Sequence, residues 1–100
     1  MRKEYNQIEG DVRVSDHLAL YGMCLGDMVV EPGGDVHLYG MVAGNIEVME
    51  GGSVCLYGMC TGHVVNSGGN LEISGLVVGN VEKKAGKTTL LPTAKVGMAP

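Results

Sequence analysis

Apolar and polar residues alternate in this chain over short runs that return at a near-constant interval. Between Val36 and Val48 the apolar side chains are Val36, Leu38, Val42, Ile46 and Val48, with Gly40 and Gly44 in the two gaps. A period of two puts these side chains on one face of extended backbone. Helical spacing fits no stretch of comparable length. The pattern predicts short strands and no helix between Leu18 and Val81.

The interval is set by a repeat. Tyr21-Gly22, Tyr39-Gly40, Tyr57-Gly58 and Ser74-Gly75 mark the same point in successive units, 18, 18 and 17 residues apart. One unit reads DVHLYGMVAGNIEVMEGG over 35–52, the next SVCLYGMCTGHVVNSGG over 53–69, and the next NLEISGLVVGNVEKKAG over 70–86. A partial unit from Ile8 to Val14 matches Cys24 to Val30 across a junction two residues shorter, without the Gly-Gly pair. Short strands repeated at this interval, with glycine at the bends, wind into a solenoid whose coils stack ~4.8 Å apart. The predicted fold is an all-β, single-domain parallel β-helix, or β-solenoid, of about five coils of ~18 residues. Residues 1–7 read as an N-terminal arm, 8–87 as the β-helix, and 88–100 as a degenerate capping segment, because terminal repeats are atypical.

Stacking turns each coil position into a column. Leu18, Val36, Val54 and Leu71 form one inward column, and Leu20, Leu38, Leu56 and Ile73 another. Cys24, Val42, Cys60 and Val77 follow Ile8 in a third; Val12, Met28, Ile46, Val64 and Val81 form a fourth. Gly22, Gly40, Gly58 and Gly75 mark one bend; Gly26, Gly44, Gly62 and Gly79, with Gly10, mark a corner that admits no Cβ or requires positive φ. The column of Val14, Val30 and Val48 breaks at Asn66 and Lys83, and an inward lysine without a partner is costly. That side is expected to open toward the C-terminus.

The outward columns carry the candidate chemistry. Tyr21, Tyr39, Tyr57 and Ser74 form one, and Met23, Met41, Met59 and Leu76 another two positions on. If alternation holds through the bend, they make an exposed ridge suited to an interface, where Tyr and Met are enriched. If the bend inverts the parity, the methionines pack inside. Asp11, Asp27, Asn45, His63 and Asn80 form a polar column whose side chains suit bonds along the stack or to turn backbone. His37, Cys55 and Glu72 share an outward column, but three unlike ligands in a row give poor tetrahedral geometry, and no pocket or oxyanion site accompanies a Cys-His pair. Cys24 and Cys60 lie two coils apart, ~9.6 Å, beyond disulfide reach. No phosphate loop, dinucleotide fingerprint or hydrolase elbow occurs. The expectation is a protein without enzymatic activity, cofactor or metal.

Charge narrows the partners. Residues 1–80 carry 3 basic and 10 acidic side chains, whereas 81–100 carry 4 basic and 1 acidic. A nucleic-acid binder presents a basic stripe, and this body is acidic, so no nucleic-acid partner is expected. There is neither an apolar leader nor an 18-residue apolar run, which argues against export and a membrane span. Three cysteines suit reduced thiols and a cytoplasmic location.

The units LYGMVAGNIEV (38–48), LYGMCTGHVV (56–65) and ISGLVVGNV (73–81) resemble the glycine-hydrophobic coil of the bactofilins, bacterial polymer-forming cytoskeletal proteins. The resemblance covers about residues 8–82, with Gly40, Gly44, Ile46 and their equivalents as the matching positions. It implies a right-handed three-sided β-helix without cofactor that assembles end to end, so the first expected partner is the chain itself. A second reading is a dedicated protein-binding partner, such as an immunity protein that neutralises a basic toxin. A third is a fragment similar to hexapeptide-repeat acyltransferases, suggested by Val36, Val42, Val48 and Val54. Those enzymes carry glycine or a small residue after the aliphatic position, where this chain has His37, Ala43, Met49 and Cys55.

Overall fold

A computed structural model describes residues 2–96. Met1 of the expected arm and residues 97–100 of the expected capping segment lie outside the described residues. Among the described residues all the regular structure is β and every strand pairing is parallel. Coil 1 comprises β1 (Arg2–Glu4), β2 (Gln7–Ile8) and β3 (Val12–Val14); coil 2 comprises β4 (His17–Leu20), β5 (Met23–Cys24) and β6 (Met28–Val30). Coil 3 follows with β7 (Asp35–Leu38), β8 (Met41–Val42) and β9 (Ile46–Val48), and coil 4 opens with β10 (Ser53–Leu56) and β11 (Met59–Cys60). The long strand β12 (Val64–Ile73) closes coil 4 and runs on as the first side of coil 5. Coil 5 goes on through β13 (Leu76–Val77) into the equally long β14 (Val81–Leu90), whose second half opens a sixth, incomplete coil with β15 (Lys95–Val96). Three strands per turn make a three-sided solenoid of about five turns, with the coil length and coil number that the repeat predicts.

The register is that of the sequence columns. Val54 pairs with Val36 on one side and Leu71 on the other, and Cys60 with Val42 and Val77. Val12 pairs with Met28, the shortened first junction. Residues 2–4, within the segment read as an arm, pair with 18–20 and so form the first side of coil 1. Lys87–Leu90 pair with Asn70–Ile73, and Lys95–Val96 with Leu76–Val77, so the segment read as a cap continues the winding through a longer corner at 91–94.

The inward columns form a single core: Val14, Leu18, Leu20, Cys24, Met28 and Val30 in the early coils, and Val36, Leu38, Val42, Ile46 and Val48 in the middle one, are all buried. Ile8, Val12 and Val81 pack against its ends, only partly covered.

Two kinds of corner allow coils to lie directly on one another. In the Gly-Gly turn, Gly51 adopts φ +85°, a left-handed conformation that residues with a Cβ avoid. At Gly44, φ is ordinary, but a Cβ would run into the Asp27 carboxylate and the Gly26 carbonyl of the coil before. That carboxylate belongs to a ladder. Asp11 Oδ1 accepts a bond from the Asp27 amide at 2.8 Å, Asp27 Oδ1 from the Asn45 amide at 2.8 Å, Asn45 Oδ1 from the His63 amide at 2.8 Å, and His63 Nδ1 from the Asn80 amide at 2.9 Å. The polar column is therefore structural: each side chain ties its corner to the next, in the space that the glycine leaves free.

The expectation that the Val48 column opens toward the C-terminus holds at Lys83, which is exposed, but not at Asn66. Asn66 sits in that column fully buried, with every polar atom bonded. Its Nδ2 donates to the carbonyls of Gly69 (3.1 Å) and Lys87 (2.9 Å), and its Oδ1 accepts from the Gly69 amide (2.9 Å). An asparagine here replaces apolar contact with bonds that brace two consecutive turns. Lys83 pairs in register with Asn66 but is exposed, and the pairing shifts immediately afterwards, so no lysine enters the core. Asn66→Ala should lower the unfolding free energy by about 2–4 kcal/mol, since several buried partners lose their bonds at ~1–3 kcal/mol each. Urea denaturation followed by circular dichroism provides the check; a loss under about 0.5 kcal/mol would contradict the bracing role.

Candidate interaction surface

The bend after each first side aims one residue outward. Tyr39 and Gly40 amides both donate to the Leu20 carbonyl, at 2.8 and 2.9 Å, and Tyr57 and Gly58 amides both donate to that of Leu38, at 2.8 Å. A Cβ on Gly40 would collide with the Gly22 carbonyl, so consecutive bends sit almost in contact. The tyrosines therefore stack. Ring centroids are 4.9 Å apart for Tyr5–Tyr21, 4.8 Å for Tyr21–Tyr39 and 5.1 Å for Tyr39–Tyr57, with interplanar angles of 9°, 6° and 13°. These distances match the ~4.8 Å spacing of paired strands. His37 leans on the stack, 6.5 Å from Tyr39 and 6.3 Å from Tyr57. Ring faces are covered by neighbouring rings, while edges face solvent: Tyr21, Tyr39 and Tyr57 are 41%, 46% and 44% exposed.

Tyr5, 64% exposed, begins the ladder, and the column reading above omits it. The signal was present. Tyr5 precedes Tyr21 by the same 16 residues that separate Asp11 from Asp27. Extending the shortened first junction two residues upstream of Gln7 would have found it.

Alternation continues through the bend. Met23, Met41, Met59 and Leu76 are outward and half-buried, whereas the residues after them, Cys24, Val42, Cys60 and Val77, are buried. The parity is not inverted, and tyrosine and methionine columns lie side by side. A third column, Leu25, Ala43, Thr61 and Val78, completes the face, with Leu25 exposed. Residues 21–26, 39–44, 57–62 and 74–79, which span this side in coils 2–5, contain no charged residue.

The other two sides are polar. On the first, Asp35 lies between two histidines, 3.3 Å from His17 Nδ1 and 3.6 Å from His37 Nε2. A shallow depression of about 340 Å³ runs past it, lined by His37, Cys55, Glu72, Lys87 and Thr89 among others. Pairing places Cys55 between His37 and Glu72, the expected column. Among the described residues no group of three or more His, Cys, Asp or Glu side chains is arranged to hold a metal ion. Burial, and then the Glu72 carboxylate, push the Cys55 thiol above its ordinary range, so it is held in the poorly nucleophilic protonated form. Burial also raises the Cys24 and Cys60 thiols, which donate to the Gly10 and Gly44 carbonyls at 3.6 and 3.3 Å. All three cysteines are free, and Val42 separates the two buried ones within their column.

Compared with known proteins, the chain matches no family model, no curated protein and no solved structure. No helix among the described residues is long and apolar enough to cross a membrane.

Two outcomes follow from this geometry. Tyr39→Ala should cost about 1–3 kcal/mol, since it removes stacking on two rings worth ~0.5–1.5 kcal/mol each, whereas Tyr5→Ala removes one stack and should cost about half as much. Urea titration of both variants tests this, and equal losses would argue against stacking. The buried thiols should make the fold alkali-sensitive. Cys24 and Cys60 are neutral in the folded chain and ionise more readily once it unfolds, so stability is level below the ordinary thiol range and falls as pH rises through and above it. Thiol-labelling kinetics at pH 8 provide the readout. Cys24 and Cys60 should react only through unfolding and Cys55 more slowly than a free thiol; prompt reaction of all three would contradict the burial.

Proposed function

We propose that this chain is a non-enzymatic structural module that associates with copies of itself end to end, the last coil of one copy continuing into the first coil of the next. One observation carries this reading: the core columns run to both ends of the described solenoid and are uncovered there. Leu90, in the column of Leu20, Leu38, Leu56 and Ile73, is 46% exposed, and Val96, in the column of Val42, Cys60 and Val77, is 37% exposed. At the opposite end Ile8 and Val12 are only partly buried. Within the described residues β1 pairs only with β4, and β15 only with β13, so each presents a free backbone edge. Such edges template strand addition.

Head-to-tail contact joins the basic end of one copy, where residues 81–100 carry a net +3, to the first coil of the next, whose residues 2–14 carry three basic and three acidic side chains. The arrangement is heterologous and need not close. This agrees with the assembly implied by the resemblance to the bactofilins. The acidic body supports the second reading, a small binder that captures a basic protein partner through electrostatic steering.

Sizing by light scattering across salt and protein concentration separates the two. End-to-end assembly predicts mass that grows with concentration, elongated particles in negative stain, and at least a tenfold loss of association in Leu90→Lys/Val96→Lys. A 10.4 kDa particle that persists at hundreds of micromolar and low salt would overturn it in favour of the binder.

A further inference from the structure

The solenoid has three sides, and only the middle one, built from β2, β5, β8, β11, β13 and β15, is uncharged across its central coils. Its outward charges stand at the two ends: Glu9 in coil 1 and Lys95 in coil 6, both exposed. Between them run the tyrosine column, the methionine column that ends in Leu76, and the column of Leu25, Ala43, Thr61 and Val78. From this geometry we infer that the middle side is a lateral docking face for a second copy of this chain, running antiparallel.

The choice of occupant follows from symmetry and charge. A copy turned by a half rotation about an axis along the strands meets each column with the same column and reverses the coil order. Met41 then faces Met59 of the second copy, Met23 faces its Leu76, and Gln7 faces its Lys95. Each Lys95 arrives at the Glu9 end of its neighbour, twice in the pair. A parallel arrangement sets Lys95 against Lys95 instead, and like charges across an interface are unfavourable. The antiparallel contact is isologous and closes on itself. Facing sheets pack ~10 Å apart, and flexible methionine side chains can fill the irregular gap between two ridged surfaces.

Area decides where the contact operates. Tyr21 to Leu25 spans four residue steps, or ~13 Å, and six coils span ~24 Å, so each copy offers ~300 Å². A stable interface needs about 800 Å² per partner, so one isolated pair associates weakly. Copies joined end to end present the face repeatedly, and repeated weak contacts on a common scaffold sum to strong attachment. The inference therefore rests on the end-to-end reading and extends it: filaments pair side by side. With one uncharged side in three, they should form twos and not broad sheets.

The test uses the whole chain in negative stain, where particle length reports end-to-end contact and width reports lateral contact. Wild type should give filaments two molecules wide, and Met41→Lys filaments of single width and unchanged length. Polarity is tested in the central coils, away from the end-to-end contact. Met59→Glu added to Met41→Lys in the same chain should restore pairing, because antiparallel copies set opposite charges against each other, whereas parallel copies set like charges together. Wild-type filaments of single width, pairing that survives Met41→Lys, or failure of Met59→Glu to restore it would each overturn the antiparallel face. If wild type makes no filaments, the end-to-end reading fails by itself. The face is then read by sedimentation equilibrium near 1 mM: a dimer weakened at least tenfold by Met41→Lys supports it, and a monomer overturns it.

Discussion

Each coil of this protein must return to the spot where the previous one began. Stacking in register lets one set of residue types serve every turn. Backbone bonds between coils carry most of the load, but they run along strands as short as two residues and would tolerate slippage by themselves. The corners remove that freedom. Gly26, Gly44, Gly62 and Gly79 give up a Cβ where the polar ladder from Asp11 to Asn80 passes between coils, and each rung engages the amide of its own equivalent one turn later. A slip by one residue would break these rungs and turn every core side chain outward. The register is thus held at points outside the apolar interior.

The same constraint generates the surfaces proposed to act. In-register stacking cannot place a tyrosine once without placing it again ~4.8 Å away, so a single outward position becomes a ladder and neighbouring positions become an uncharged face. It also leaves the core columns open at the ends of the described residues, where Leu90 and Val96 contact nothing comparable to what Leu56 and Cys60 contact. Ends that add copies and a side that pairs them both follow from repetition and need no separate design. Asn66 shows the limit of repetition. One buried polar residue is accommodated, because its amide supplies bonds that a valine could not, bracing the turns that lead into the final coils.

The coil length, the inward columns, the role of the polar ladder and the outward aim of tyrosine and methionine were legible because each depends on residue type at a fixed interval. What escaped the sequence depends on what happens when the interval changes. Tyr5 was missed because the first junction is two residues short, so an interval of 18 points past it. Asn66 was misjudged because a polar residue in an apolar column suggests an opening unless its bonding partners are known, and Thr88 and Lys87 lie on a strand whose pairing shifts between 66 and 70. The terminal segments read as arm and cap because their residue types are degenerate, yet backbone pairing, which is indifferent to side chains, incorporates the described parts of both into the winding.

Proton contacts measured by nuclear magnetic resonance on the isotope-labelled chain test the stacking most directly. The account predicts cross-peaks between ring protons of Tyr5 and Tyr21, Tyr21 and Tyr39, and Tyr39 and Tyr57, and between methyl groups of Leu38 and Leu56, with none between Leu20 and Leu56, two coils apart. Ring contacts that skip a coil, or a Leu20–Leu56 contact stronger than Leu38–Leu56, would contradict it.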